Sequence, residues 1–189
     1  MSKLEKLRVK IDLIDKNISE LIIKRYSLAD EIIKVKGNKF PFDPQRENML
    51  LKKVIDYGLE PLIVERIWRQ IISSNLARQK KMKIGILDND KYTIAAYETY
   101  FGPYYETCFF SRKEDLFDSL DEKKIDIGFV DKMESFVEEN YNDLVCVADY
   151  PLTSMFYNKK FSILINKRNW GFTYYVSFIK KIYFRIKPI

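Results

Sequence analysis

The amino-acid sequence predicts an all-helical N-terminal domain of three helices, followed by a small α/β domain. In the first 80 residues, apolar residues recur every three or four positions, which is the spacing of a buried helix face. After the basic stretch 80–83, short β-rich runs alternate with helical segments, which is typical of an α/β layer. The two patterns place the domain boundary near residue 81 and give domains 1–80 and 81–189.

The first helix is predicted over residues 3–36, with Gly37 just past its last turn and Pro41 unable to continue it. At 1.5 Å per residue it is about 50 Å long, so it needs partners along its whole length. Arg25 occupies a position of the apolar stripe, and Lys36 lies on nearly the same side. The stripe comprises Leu4, Leu7, Ile11, Ile14, Ile18, Leu21, Leu28, Ile32 and Val35.

The second helix begins at Pro44, after the predicted N-cap Asp43, and stops at Gly58. The third helix begins near Pro61, and two amides continue its apolar face over the last two turns. That face comprises Val64, Trp68, Ile71 and Ile72, followed by Asn75 and Gln79.

The α/β part is expected to have mostly parallel strands, because its strands alternate with helices. The aromatic and basic tail 170–189 favours neither strand nor helix. The predicted strands are 83–89, 107–111, 125–131, 144–150 and 159–168, and the predicted helices are 92–102 and 112–124.

Composition excludes several classes of protein. With 47% hydrophobic and 32% charged residues the chain is an ordinary globular one and not a disordered one. No apolar run approaches the roughly 18 residues of a membrane span, and no signal peptide is evident, so we expect a cytoplasmic protein. Cys108 and Cys146 are too few for a disulfide framework and are expected to be buried free thiols. The absence of histidine excludes Ser-His and Cys-His nucleophiles and removes the commonest transition-metal ligand.

Charge is divided into three blocks along the chain. Residues 1–80 hold 17 Lys and Arg against 11 Asp and Glu, residues 81–158 hold 8 against 16, and residues 159–189 hold 8 against none. Opposite charges within one chain attract, so the basic tail is expected to pack against the acidic block. We therefore expect neither nucleic acid nor a membrane as a partner.

Cations lie on the inner faces of the helical domain, where few acids are available to pair with them. An unpaired buried guanidinium costs several kcal/mol, so it implies either an internal acidic partner or an anionic ligand. Glu47 is the one acid expected nearby, and a small dianion would neutralise the excess charge. The cations are Arg8, Arg25, Lys36 and Arg46, and the neutral donors are Asn75 and Gln79.

The stretches "LRVKIDLIDKNISELIIKRYSLADEIIKVK", "RENMLLKKV" and "IWRQIISSNLARQ" resemble the all-helical chorismate mutase family over residues 3–80. Four short motifs occur in order at that family's spacing: L-R-x-x-I-D-x-I-D, an Arg with Lys eleven residues later, R-E opening the second helix, and a polar residue four before a closing Gln. The resemblance implies an isomerase that rearranges chorismate to prephenate without metal or cofactor, in an intertwined homodimer.

The resemblance also implies which residues hold the two carboxylates of chorismate. These are Arg25, Arg46 and, reaching in from the other copy, Arg8 of the partner subunit. Bidentate pairs between arginine and carboxylate orient a substrate as well as attract it. The reaction transfers no proton to the protein, so conformational restraint and charge stabilisation are the means left for catalysis.

The remaining predicted site residues surround the reacting part of the substrate. By the same resemblance, Lys36 and Gln79 donate hydrogen bonds to the ether oxygen that gains charge, and Glu47 accepts the substrate hydroxyl. Asn75 stands where the family usually has serine and is expected to donate to a carboxylate. Asp43 matches an acidic position whose role is partly at the helix start and partly at the substrate.

The stretches "KIGILDNDKYTIAAYETYFG" and "FFSRKEDLFDSLDEKKIDIGFVDK" resemble the first lobe of prephenate dehydratase. The order of strands and helices agrees, whereas the family's glycine-rich G-P-x-G-T-F-S turn is here D-N-D-K-Y-T-I, which lacks both glycines. The second lobe, with its T-R-D-T-A motif, has no counterpart. We therefore expect a degenerate, truncated lobe without dehydratase activity.

Three alternatives to a chorismate mutase remain open from the sequence. An isochorismate-pyruvate lyase would use the same cations on the same helices. A bifunctional mutase–prephenate dehydratase would have to work without the missing motifs. A non-catalytic sensor of aromatic metabolites would bind chorismate or an aromatic amino acid without turnover.

Overall fold

A computed structural model describes residues 2–37, 39–87, 91–131, 141, 143–151 and 160–170 of the 189-residue chain. The chain divides into two compact units, Met1–Gly37 and Asn38–Ile189. The predicted fold class is confirmed, with helices at the N-terminal end and a small α/β part after them. The boundary near residue 81 stays a prediction, and the predicted packing of the basic tail lies outside the described residues.

The first unit consists of one helix, α1, over Lys3–Lys36, as the apolar spacing predicts. Ser2 and Glu5 form a capping box, in which the Ser2 Oγ accepts from the Glu5 N–H at 3.2 Å. Gly37 ends the helix with a φ of 60°, a backbone conformation that favours glycine. The predicted apolar stripe is exposed in the single chain, and the exposure of its side chains ranges from 40% at Ile32 to 88% at Val35.

Two further helices begin the second unit: α2 over Pro44–Asp56 and α3 over Pro61–Gln79. Both open with proline at the first position, where the absence of an N–H costs the helix no hydrogen bond. The predicted N-cap is confirmed, because an Asp43 carboxylate oxygen accepts from the Arg46 N–H at 3.0 Å. Gly58 follows α2 with a φ of 97°.

A five-stranded sheet forms the centre of the second unit, in the order β2-β1-β3-β5-β4. β1 pairs in parallel with β2 and with β3, whereas β5 is antiparallel to both β3 and β4. Four of the five described strands therefore point the same way, in agreement with the prediction. β5 is reversed because ten residues separate it from β4, fewer than a parallel crossover needs. The strands are β1 Lys83–Leu87, β2 Glu106–Phe110, β3 Ile127–Asp131, β4 Leu144–Tyr150 and β5 Phe161–Asn166.

Three more helices complete the second unit: α4 over Lys91–Phe101, α5 over Lys113–Asp121 and the short α6 over Lys167–Trp170. Side chains alternate between the two faces of the sheet. One face forms a core with α2, α3 and α4 that includes Phe42, Val64, Phe101 and Phe129. The other face packs on Leu116, Phe117 and Leu120 of α5. Cys108 and Cys146 are both free and half-buried.

The buried face of α3 is wider than the sequence predicts. Val64 and Ile72 are buried as expected, but Trp68 and Ile71 are half-buried. Arg69 and Ser73 are buried instead. The difference arises because α3 packs against α2 on one side and against α4 on the other, so two adjacent stripes of the helix are covered.

Side chains of α3 bond to carbonyls in the last turn of α4, where few backbone N–H groups of the same helix are left to pair with them. Gln70 Nε2 donates to the carbonyls of Glu98 and Thr99, each at 3.1 Å. The Ser73 hydroxyl donates to the carbonyl of Phe101. These bonds fix the position of α4 against α3.

We predict that Ser73→Ala lowers the free energy of unfolding by about 1–3 kcal/mol, because it removes the donor of a buried carbonyl. The matched control is Ser74→Ala, since the Ser74 hydroxyl donates at 3.0 Å to Ile71 of its own helix. We expect the control to stay within about 0.5 kcal/mol of the parent. Urea unfolding at one fixed protein concentration measures both, and equal losses would contradict the assigned role of Ser73.

Candidate functional site

The predicted cations of the first unit lie at two separate places on α1. Arg25 and Lys36 are eleven residues apart, which is about 20° more than three full turns, so they share one face of the helix. Arg8 precedes Arg25 by seventeen residues and lies about 25 Å away along the axis. One copy of α1 therefore brings Arg25 and Lys36 to the same face but leaves Arg8 far from both.

The predicted residues on α2 have different surroundings. Asp43 is engaged in capping the helix through the Arg46 N–H. The Arg46 side chain is exposed, and within the described part of the chain Arg8, Lys36 and Arg46 form no ion pair. Glu47 is buried, at 7% exposure, and its carboxylate turns toward α3.

The two predicted amides lie on one face of α3, one turn apart. Asn75 is buried, and its Nδ2 donates to the Ile71 carbonyl at 2.5 Å. Its Oδ1 has no hydrogen-bond partner among the described residues. Gln79 is the last residue of α3 and is half-buried. The predicted donor role of Asn75 then depends on its second amide N–H.

A buried arginine that the sequence reasoning missed lies beside Glu47. Arg69 is 1% exposed, and its guanidinium is bonded along its whole edge. Its Nη1 donates to Glu47 Oε2 at 3.1 Å, its Nη2 to Asn48 Oδ1 at 2.9 Å, and its Nε to Glu65 Oε1 at 3.5 Å. The face of the guanidinium lies 4.1 Å from the centre of the Tyr100 ring.

The hydroxyl of Tyr100 completes this cluster by donating to Glu47 Oε2 at 3.3 Å. Tyr100 belongs to α4 and is 2% exposed. Glu47 therefore receives two donors, one from α3 and one from the α/β part. The sequence prediction placed Glu47 near the cations and the hydroxyl of the substrate and did not include these two donors from the protein.

The sequence does contain a signal for Arg69. Glu65, Arg69, Ile72 and Leu76 recur at spacings of four, three and four, which is a helical stripe next to the one we predicted. The charged residues within that stripe concealed it. An acid and a base four residues apart can pair on one helix face, so Glu65 and Arg69 were candidates for burial as a pair.

A family model described as chorismate mutase type II matches residues 7–80. By this match, residues 7–80 form a chorismate mutase type II domain. All eight predicted site residues fall inside this mutase domain. The resemblance drawn from the sequence motifs is thereby confirmed.

Curated relatives extend the likeness beyond the mutase domain. A protein of Aquifex aeolicus is 32% identical over 142 residues, which are 69% of this chain and 39% of the relative. One of Buchnera aphidicola is 29% identical over 166 residues, or 83% of this chain and 42% of the relative. One of Stutzerimonas stutzeri is 34% identical over 95 residues, or 45% and 26%. Each is described as a bifunctional chorismate mutase/prephenate dehydratase.

The alignments cover less than half of each relative. The chain spans 26% to 42% of the length of the three relatives, so much of each relative has no equivalent here. No solved structure matches the chain. The alignments over 142 and 166 residues are nevertheless longer than the mutase domain, so they reach into the α/β part and confirm that it is dehydratase-like.

No cluster of three or more Cys, Asp or Glu side chains suited to a metal occurs in the residues that the structure describes. Across the same ranges, none of the helices combines the length and the apolar character needed to cross a bilayer.

Burial determines the protonation of the cluster around Arg69. It raises the pKa of the Glu65 carboxyl above its ordinary value, and Arg69 offsets this only in part. Burial acts to lower the pKa of Arg69, but Tyr100, Glu47 and Glu65 outweigh it, so the pKa of Arg69 is raised. Burial also raises the pKa of Tyr100 well above its ordinary value, so its hydroxyl keeps its proton and remains a donor at neutral pH.

The raised pKa of Glu65 makes stability depend on pH. The folded state holds this proton more tightly than the unfolded state, whose pKa is near 4.5. The contribution of Glu65 is therefore full below pH 4.5 and is lost as the pH rises through the raised folded pKa. We predict that Glu65→Gln abolishes this pH-dependent loss of stability. The Tm difference, variant minus parent, should therefore increase from pH 4 to pH 7.

The control for this prediction is Glu60→Gln, at an exposed position just before the same helix. Thermal unfolding is followed by circular dichroism at each pH for the parent and both variants. The Tm difference should depend more strongly on pH for Glu65→Gln than for Glu60→Gln. A Tm difference for Glu65→Gln that does not change with pH would contradict the raised pKa of Glu65.

Proposed function

We propose that the protein is a chorismate mutase, an isomerase that rearranges chorismate to prephenate in aromatic amino acid biosynthesis. It acts as a homodimer in the cytoplasm and requires no cofactor. The type II mutase domain over residues 7–80, with every predicted site residue inside it, is the observation that carries this proposal.

Catalysis in the proposed site is electrostatic. Arg25 and Arg46, with Arg8 of the partner subunit, bind the two carboxylates and hold a compact substrate conformer. Lys36 and Gln79 donate to the ether oxygen, which gains negative charge as its bond to carbon breaks. Preorganised donors at such an oxygen are worth about 3–4 kcal/mol each. The chain needs no histidine for this reaction, in agreement with its composition.

Glu47 accepts the substrate hydroxyl in this proposal. An ionised carboxylate has about four acceptor positions, so its bonds to Arg69 and Tyr100 leave capacity for a third donor. Asn75 and Asp43 support the substrate from the helix ends. Asp43 also keeps its role as the N-cap of α2.

The distance between Arg8 and Arg25 supports a dimeric site. A substrate of chorismate's size cannot contact two side chains that leave one helix about 25 Å apart. The exposed apolar stripe of α1 supplies a surface for the second copy, since exposed apolar patches of this length mark interaction sites. Two copies related by a two-fold axis would each provide Arg8 to the other.

We predict that Lys36→Ala lowers kcat/KM for chorismate by about 10²-fold or more, because it removes a donor to the ether oxygen. Lys34→Ala is the matched control, since Lys34 is exposed on the same last turn but points to another face of α1. Disappearance of chorismate and formation of prephenate are measured for the parent and both variants. An unchanged rate for Lys36→Ala would remove Lys36 from the site.

Mixing two inactive variants tests whether Arg8 acts in the partner's site. Arg8→Ala and Arg25→Ala alone are each expected to lose activity. After they are unfolded together and refolded in equal amounts, half of the dimers are mixed, and each mixed dimer has one intact site. We predict recovery of about a quarter of the parent activity. Sites built within single chains would give no recovery.

The dehydratase-like part is proposed to be inactive toward prephenate. The sequence that follows β1 lacks the two glycines of the family motif, so the close backbone approach that glycine permits is not expected there. We predict that prephenate formed from chorismate persists without conversion to phenylpyruvate. The relative from Aquifex aeolicus, described as bifunctional, is the positive control. Enzymatic formation of phenylpyruvate would overturn this part of the proposal.

A further inference from the structure

The α/β part contacts a residue of the proposed mutase site directly. The Tyr100 hydroxyl of α4 donates to Glu47 Oε2, the same oxygen that accepts from Arg69. Glu47, Arg69 and Tyr100 are each at most 7% exposed. Their bonds therefore form where water does not compete, and charge-assisted hydrogen bonds are strong there.

Arg69 holds its place independently of Glu47. Its guanidinium also bonds to Asn48 and Glu65, and its face stacks on the Tyr100 ring. A planar group restrained at its edge and its face has little freedom to rotate. Glu47 therefore accepts from a donor whose orientation is already fixed.

Tyr100 is held just as firmly. Its ring packs edge-on against Tyr150 of β4, with ring centres 5.1 Å apart. The helix that carries it is bonded to α3 by Gln70 and Ser73. The hydroxyl thus approaches Glu47 from a surface that belongs to the α/β part.

We propose that Tyr100 is a positioning residue for the mutase reaction: with Arg69, its hydroxyl orients the Glu47 carboxylate toward the substrate hydroxyl. The inference rests on the proposed function and extends it. The α/β part contributes to mutase activity through this contact, without any chemistry of its own.

Tyr97 provides a matched control for the test. It lies on the same helix and is buried at 4% exposure, but its hydroxyl has no hydrogen-bond partner within the described residues. Tyr97→Phe and Tyr100→Phe each remove one buried hydroxyl and keep the ring. Only Tyr100→Phe removes a donor to Glu47.

The experiment measures kcat and KM for chorismate in the full chain. We expect Tyr100→Phe to lower kcat/KM about tenfold, the effect of one hydrogen bond to a charged group. Tyr97→Phe should match the parent, and the Tm of Tyr100→Phe should change by only a few degrees. In a Glu47→Gln background, Tyr100→Phe should have almost no further effect, because the two residues act as a unit.

Arg69→Lys is the second variant, because it keeps the charge and loses the planar fork. Arg69→Lys should also lower kcat/KM. In the Glu47→Gln background, Arg69→Lys should have almost no further effect on kcat/KM. Equal rates for Tyr100→Phe and the parent, or losses that multiply with Glu47→Gln, would overturn the positioning role alone. Absence of turnover in the parent would instead overturn the proposed function.

Discussion

The fold of the second unit depends on neutralising one buried guanidinium. Arg69 is nearly inaccessible to water, and a charge in that position is tolerated only when it is paired and hydrogen-bonded. Two helices and the α/β part supply those partners: Glu47 and Asn48 from α2, Glu65 from its own helix, and the Tyr100 ring from α4. Loss of either carboxylate would weaken the pairing of this buried charge. The cluster therefore specifies how α2, α3 and α4 come together.

Apolar contacts also join the dehydratase-like lobe to the helices α2 and α3. Phe101 and Phe129 of the lobe lie in one core with Phe42 and Val64 of the mutase domain. Without the lobe, that apolar surface would be exposed to water, at a free-energy cost of about 25 cal/mol for each square ångström.

The sequence predicted those parts of the structure that depend on local signals. The limits of α1 follow from its spacing and Gly37, and the start of α2 follows from Asp43 and Pro44. The five strands appeared at the predicted places to within a few residues. The motif spacing also identified the mutase family, because four short motifs occur in order along the three helices.

What the sequence could not supply were contacts between distant elements. Glu47 and Tyr100 are 53 residues apart, and no local pattern indicates that they meet. Arg69 was missed because a cation on a helix normally faces solvent, and it is buried here because α2 and α4 pack on both sides of α3. The antiparallel direction of β5 likewise follows from the short connection between β4 and β5 and not from the residues of β5 itself.

The eleven-residue interval between Arg25 and Lys36 restricts how this stretch of the gene can change. Because the two cations share one face of a continuous helix, a single inserted or deleted codon between them would turn Lys36 by about 100° away from Arg25. Substitutions in the interval leave this angular relation intact. We therefore expect homologous proteins that keep both cations to differ here in residue type and to agree in length.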